Sequence, residues 1–441
     1  MISPGSKNKN HTGKKRKLWP VLSALLVLCY AAVFVWYFVY GFGNGGNGDE
    51  NTGGLAAVVS SAPPVVFPSD TGIREDAEEK IKIVAPAVKV KGLYITAWNA
   101  GIDEEMAHYI ELCDTTEINA LVIDVKDDRG QITFITDTES ISGAGVYIIP
   151  DIKGIISSMK SHGIYSIARV VCFNDPMRSK THPDTAIHNL MGEPWKDHSG
   201  NTWLDPYNKA SWDYIADVAL EAARVGFDEV QLDYVRFPSD GNIGLIDYGA
   251  AGADKSKAEI ISEFVAYIRA ILAEEGVRLS ADVFGIIAIS SIDSESIGQD
   301  MGLLLHSADY LCPMIYPSHF ANKSQNGTGQ IINNVLFEAP DLEPYGVVYN
   351  ILLGVADHLD DNSAQAGIRP YIQDFTAAYL GSGYYQRYTA QQVLEQIKAV
   401  YDAGFDEWII WNHSSVYSED AFKDSRAETE RPRHGESQFT Q

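Results

Sequence analysis

Between Lys91 and Asn412, eight short apolar runs recur, separated by amphipathic stretches. They are KGLYITAW (91–98), ALVIDVKD (120–127), YSIARVVCF (165–173), EVQLDYVRF (229–237), LSADVFG (279–285), DYLCPMIYP (309–317), PYIQDFT (370–376) and EWIIWN (407–412). Their length and β-branched content read as strands buried on both faces. The stretches between them, YNKASWDYIADVALEAARVG and TAQQVLEQIKAVYDAG for example, repeat apolar residues at helical spacing. Asp205 before Pro206 reads as a helix start, and Thr389 with Gln392 as a capping box. Eight such units predict a (β/α)8 TIM barrel over residues 89–418. A doubly wound open sheet is the alternative, but it does not account for eight units.

The connections point the same way. Helix-to-strand turns are short and begin at Gly163, Gly226, Gly276 and Gly404, where glycine can take the left-handed conformation that ends a helix. Strand-to-helix connections are long, roughly 174–204, 238–255 and 318–343. In a barrel the long loops crown the carboxyl ends of the strands, the face that carries chemistry.

The ends of the chain differ from its middle. Residues 1–17 contain Lys7, Lys9, Lys14, Lys15, Arg16 and Lys17 and no acid, a basic tail expected to stay in the cytoplasm. Leu18 to Tyr40 is uncharged and long enough to cross a bilayer, which predicts a single-pass anchor with the barrel outside the cell; a cleaved secretory signal is the alternative. Residues 41–88 read as a flexible Gly/Pro-rich linker. The Gly-x-Gly-x-x-Gly at Gly41, Gly43 and Gly46 lacks the flanking strand and helix of a dinucleotide site. Residues 419–441 read as a polar disordered tail. Beyond the anchor, 28 basic residues face 59 acidic ones, which argues against nucleic acid or an anionic lipid surface as partner of the barrel. Cys29, Cys113, Cys172 and Cys312 make no disulfide framework.

One strand breaks the packing rule: EVQLDYVRF places Asp233 and Arg236 where an ordinary buried strand has aliphatic residues. Asp233 and Trp411 each lie seven residues past a turn glycine, and Arg169 and Asp282 lie six past theirs, so all four are expected near the barrel mouth. The same face offers Asp124, Lys126 and Asp127 from strand two, with Asp124, Lys126 and Asp127 weighed as a supporting layer. It also offers Tyr234 and Arg236 from strand four, Tyr316 and His319 after strand six, Gln373 and Asp374 from strand seven, and Asn412 from strand eight. Trp98, Trp195, Trp203, Tyr234 and Trp411 are candidates for stacking on sugar rings or for plain packing. Carboxylates flanked by aromatics suit glycoside hydrolysis, which needs one carboxylate as nucleophile or base and another as proton donor. The sequence contains no His-Glu-x-x-His and no Gly-x-Ser-x-Gly, and no metal or cofactor is expected. A barrel that binds wall glycan without cutting it is the rival reading.

The segments VIDVKDDRGQITF, WLDPYN, DEVQLDYVRFPSDG, LSADVFG, IGQD, DYLCPMIYPSHF, RPYIQDFT and DEWIIWN, in that order, resemble the bacterial putative glycosyl hydrolase domain related to alpha-amylases. The resemblance implies a glycosidase-type barrel, membrane-anchored or secreted, acting on a polysaccharide or cell-wall glycan. By similarity to the alpha-amylase-like group, the strand-four Asp233 would be the nucleophile. That group has Glu as acid at the end of strand five, where this chain has Asp282; Asp374 and Asp124 are the other candidates for the donor.

Overall fold

A computed structural model of the chain describes residues 88–359, 363 and 365–423. The expected cytoplasmic tail, anchor and nearly all of the linker lie outside the described residues, as does the chain beyond Lys423. Among the described residues no helix is long and apolar enough to cross a membrane.

All eight expected strands form: β1 (Lys91–Ile95), β2 (Ala120–Lys126), β3 (Tyr165–Val171), β4 (Glu229–Asp233), β5 (Arg278–Phe284), β6 (Tyr310–Ile315), β7 (Tyr371–Gln373) and β8 (Trp408–Trp411). Each pairs in parallel with the next, and β8 pairs with β1 through Gly92 opposite Ile409, so the sheet closes on itself. An open doubly wound sheet is excluded, and closure leaves no barrel edge with unpaired backbone groups. Several strands stop short of their apolar runs. β4 ends at Asp233 because Tyr234 takes φ +49°, a left-handed conformation that no strand continues through. The run at 370–376 yields only Tyr371–Gln373; the short piece Gly367–Ile368 before it also pairs with β6, and Pro370, lacking an N–H, stands between the two.

The helices that cover the barrel are α1 (Asp103–Thr115), α2 (Ile152–Ser161), α3 (Lys209–Val225), α4 (Lys257–Glu275), the short α5 (Ser291–Ile297) and α6 (Met301–Leu304), α7 (Pro344–Ala356) and α8 (Ala390–Asp402). A last turn, α9 (Asp420–Lys423), buries Ala421 and Phe422, so the ordered chain runs past the expected boundary at 418. The Thr389–Gln392 capping box opens α8 as expected. Helix α3 starts three residues later than Asp205 suggested: Asn208 caps it, accepting from Ala210 N at 3.0 Å, while Asp205 accepts from Tyr207 N at 2.9 Å in the preceding turn. Gly226 (φ +113°) and Gly276 (φ +72°) close α3 and α4 in the left-handed region, which a β-carbon disfavours. Phe264 of α4 is fully buried against Phe173 (centroids 4.8 Å apart) and Trp212 (5.5 Å); truncating it to Ala would cost about 3–5 kcal/mol.

Inside the barrel, side chains stack in layers. At the amino-terminal end the fully buried Arg369 bridges Glu229 (2.8 Å) and Glu407 (3.0 Å). The middle holds Val122, Ile167, Cys312, Ile409 and Tyr371, whose hydroxyl donates to Gln231 Oε1 at 2.6 Å. Cys113, Cys172 and Cys312 are free and buried. Polar groups return at the carboxyl-terminal end, under loops tied together by the antiparallel pair His188–Asn189 and Ile246–Asp247.

Candidate active site

Alternation along a strand decides which residues enter the mouth. Leu232 of β4 pairs with Ala281 of β5 and both face the helices, so the next residues, Asp233 and Asp282, turn inward side by side. Arg169 of β3 reaches both neighbours: Nε donates to Asp233 Oδ2 at 2.9 Å, with Nη2 donating to the same oxygen, and Nη1 donates to Asp124 Oδ1 at 2.7 Å. The other Asp233 oxygen, Oδ1, accepts from Tyr234 N at 2.6 Å. Every partner of Asp233 named here donates to it.

Asp282 is its opposite. It is 2% exposed, and its Oδ1 has no hydrogen-bond partner. Burial raises its carboxyl well above the usual range, the Asp233 charge adds to that, and Arg169 only partly offsets it. Burial and the Asp233 charge thus both favour the protonated form of Asp282. Asp124 is also raised, by burial, against the pull of Arg169 and of the Tyr94 hydroxyl, which donates to Asp124 Oδ2 at 2.6 Å.

An aromatic wall stands across from the carboxylates. Trp411 of β8 stacks on Tyr94 (6.1 Å, 30°), lies 5.4 Å from Tyr316, and meets Phe375 edge-on at 5.4 Å. His319 packs edge-on against Tyr316 (5.0 Å), and burial lowers its imidazole to about 4, so it is neutral at neutral pH. Trp98 sits on the short helix Ala97–Ala100 after β1 and is 62% exposed.

The remaining candidates are placed elsewhere. Lys126 is fully buried, with Nζ on Asp175 Oδ2 (2.8 Å) and on the Val171 carbonyl (2.6 Å); a register shift in β2 between Asp124 and Lys126 turns it away from the mouth. Gln373 accepts from Ser318 N (3.1 Å) and donates to Asp341 Oδ1 (3.0 Å), joining two loops. Asp374 accepts from Ser418 N (2.6 Å) and Oγ (2.8 Å), which commits both its oxygens to the segment after β8 and away from the Asp233 and Asp282 pair. Asn412 donates to the carbonyls of Asp374 (2.5 Å) and Val416 (2.7 Å) and shapes that same segment. Arg236 donates to the Phe237 carbonyl (3.0 Å), and its guanidinium lies near the rings of Phe284 (4.9 Å), Trp203 (5.1 Å) and Tyr234 (5.2 Å), bracing the loop after β4. Trp195 and Trp203 are buried packing residues. Burial raises Asp127 to about 6, and its Oδ1 accepts from Arg129 N and Gln131 N in the turn after β2. Among the described residues no group of three or more His, Cys, Asp or Glu side chains could hold a metal ion.

Tyr94 and Phe375 belong to the site and were missed. For Tyr94 a signal existed: it alternates with the inward Gly92 in KGLYI, so it shares the barrel interior.

A mouth that pairs a buried carboxyl favouring its proton with one held by hydrogen-bond donors, walled by aromatics at the carboxyl end of a closed parallel barrel, is the equipment of a glycosidase. The chain belongs to the family described as the putative glycosyl hydrolase domain, whose pattern matches residues 92–417. Among solved structures it is similar to a hypothetical protein from Ruminiclostridium thermocellum ATCC 27405, at 42% identity over 44% of this chain and 99% of that one, with a TM-score of 0.41. The PgaB (BpsB) glycoside hydrolase domain from Bordetella bronchiseptica shares the barrel fold, at 12% identity over 74% of this chain and 94% of that one, with a TM-score of 0.53. The spore cortex-lytic enzyme SleL from Bacillus megaterium QM B1551 is matched at 11% identity over 75% and 72%, with a TM-score of 0.44. No curated protein matches the chain.

Proposed function

We propose that the protein is a membrane-tethered, outward-facing glycoside hydrolase that cleaves an extracellular or cell-wall polysaccharide, with Asp282 as proton donor and Asp233 as nucleophile or base. The observation that carries this reading is the unlike pair on adjacent strands: Asp282 is buried with an unpartnered oxygen, while Asp233 is held by Arg169 and the Tyr234 amide. In the first step the Asp282 proton passes to the glycosidic oxygen as the bond to the anomeric carbon breaks. The positive charge that develops on that carbon faces the Asp233 carboxylate, which attacks it or draws a proton from an attacking water. Trp411, Tyr316 and Tyr94 offer aromatic faces on the opposite side for the apolar face of a sugar ring.

The tether rests on the basic residues Lys7 to Lys17 followed by the uncharged stretch Leu18 to Tyr40. β1 starts at the amino-terminal end of the barrel, so the chain enters the domain opposite the mouth. The test is reducing-end release from a panel of wall and storage glycans by the full chain in detergent, beside Asp233→Asn. Release by the native protein alone supports the reading. Saturable glycan binding by both proteins without release from any glycan replaces it with a glycan-binding barrel.

A further inference from the structure

Asp124 lies one strand beyond Arg169, on the side away from Asp233, yet it shares that arginine. The guanidinium forks: Nη1 goes to Asp124 (2.7 Å), while Nε and Nη2 go to Asp233. Tyr94 completes the chain, its hydroxyl 2.6 Å from Asp124 and its ring 5.6 Å from the Arg169 guanidinium. The arginine side chain is only 13% exposed, so solvent screens these contacts weakly. We propose that Asp124 is a positioning residue of the carboxylate pair: it holds Arg169 from the far side, and with Tyr94 it sets how much of the guanidinium charge reaches Asp233 and Asp282. This deepens, and rests on, the reading of those two residues as the catalytic pair.

The physical reasoning is one of shared charge. A buried guanidinium between two carboxylates divides its hydrogen bonds and its field between them. Without the Asp124 charge, the whole of Arg169 acts on the Asp233 side, where it favours loss of the Asp282 proton. The groups facing this centre are Tyr94 from β1, Asp124 and the following Asp128 from β2, and Arg169 from β3. Asp233 follows from β4 with Tyr234 just after it, Asp282 from β5, Tyr316 after β6, Tyr371 from β7 and Tyr417 after β8, while the buried Glu229 and Arg369 act on Asp282 from the layer below with opposite signs. The tyrosines are neutral across the working range. Asp124 is then the negative charge on Arg169 whose removal leaves the proposed pair intact. The phenol works in the other direction. By donating to Asp124 it weakens that carboxylate as an acceptor, and its removal draws the guanidinium toward Asp124 and away from the pair.

The test follows the Asp282 carboxyl by 13C NMR of carboxyl-labelled full-length protein, assigned with Asp282→Asn, in the native chain, Asp124→Asn and Tyr94→Phe. Asp124→Asn is expected to lower the Asp282 midpoint by about one pH unit, and Tyr94→Phe to raise it by a smaller step. Near-UV circular dichroism reports whether each variant is folded; if Asp124→Asn does not fold, the sign of the Tyr94→Phe shift decides. A folded Asp124→Asn with an unmoved or raised midpoint overturns the proposal, as does a Tyr94→Phe midpoint that falls or stays. Because NMR needs no substrate, the expected shifts without glycan release by the native protein would uphold the coupling and sink the glycosidase reading. Release by the native protein with no shift would do the reverse.

Discussion

Arg169 Nε stands 2.9 Å from Asp233 Oδ2, and Nη2 of the same guanidinium donates to that oxygen as well, so the carboxylate on β4 is held by a fork projecting from β3. A lysine cannot reproduce a fork. Arg169→Lys is expected to lower kcat for glycan release about ten- to a hundredfold, the worth of a charged hydrogen bond, with little change in KM. An unchanged kcat would show that the fork does not serve the reaction.

Asp233→Asn removes the carboxylate but keeps its shape. Release is expected to fall roughly a hundred- to ten-thousandfold, while glycan affinity, measured by calorimetry, stays within a few-fold of native. Equal loss of affinity and of release would mark Asp233 as a binding group instead.

The raised Asp282 carboxyl makes two pH predictions. As a proton donor it must be protonated, so the basic limb of the activity profile should lie well above the ordinary carboxylate value of about 4. For stability the sign is fixed by proton counting: the folded chain keeps a proton that the unfolded chain has released. The stability Asp282 contributes is therefore complete below the unfolded value and is lost as pH rises toward the folded one. Asp282→Asn should accordingly match native stability at low pH and exceed it at neutral pH, raising Tm by a few degrees. Scanning calorimetry at two pH values checks this, and a lower neutral Tm would contradict the buried, protonated state.

Lys126 is expected to matter for folding and not for the reaction. Lys126→Met leaves Asp175 buried without its cation, at a cost of about 3–5 kcal/mol. Urea unfolding should show that loss while the folded fraction keeps native kcat. Preserved stability with lost release would return Lys126 to the site.

Tyr234 separates backbone strain from side-chain packing. Tyr234→Ala and Tyr234→Gly both lose the ring that lies 5.9 Å from Trp203, but only glycine is at ease at φ +49°. The glycine variant should be the more stable of the two, by about 1 kcal/mol. The reverse order in denaturant would mean that the left-handed conformation is not held in solution.

The barrel was legible because its signals are local. Strand runs, turn glycines and the Thr389–Gln392 box each specify a few neighbouring residues, and only one closed arrangement uses eight such units. The inward direction of Asp233, Arg169, Asp282 and Trp411 was legible too, because glycine offsets and two-residue alternation carry side-chain height and face along a strand. Strand ends were less so: the run through Phe237 hid the turn at Tyr234, since a positive φ in a tyrosine leaves no mark in composition.

What the chain determines by itself is which residues reach the carboxyl end of the barrel. Which of them work together was decided only in three dimensions. Asp374 and Asp282 are both acids near the ends of strands; Ser418 commits one to a loop, while the β4–β5 register leaves the other buried beside Asp233. Lys126 and Arg169 are both cations of inner strands, and a register shift between Asp124 and Lys126 sends the first to Asp175, while regular alternation sends the second to the mouth. The physical reason is that a side chain's partners, its burial and its proton affinity depend on segments dozens to hundreds of residues away, brought near only when the barrel closes.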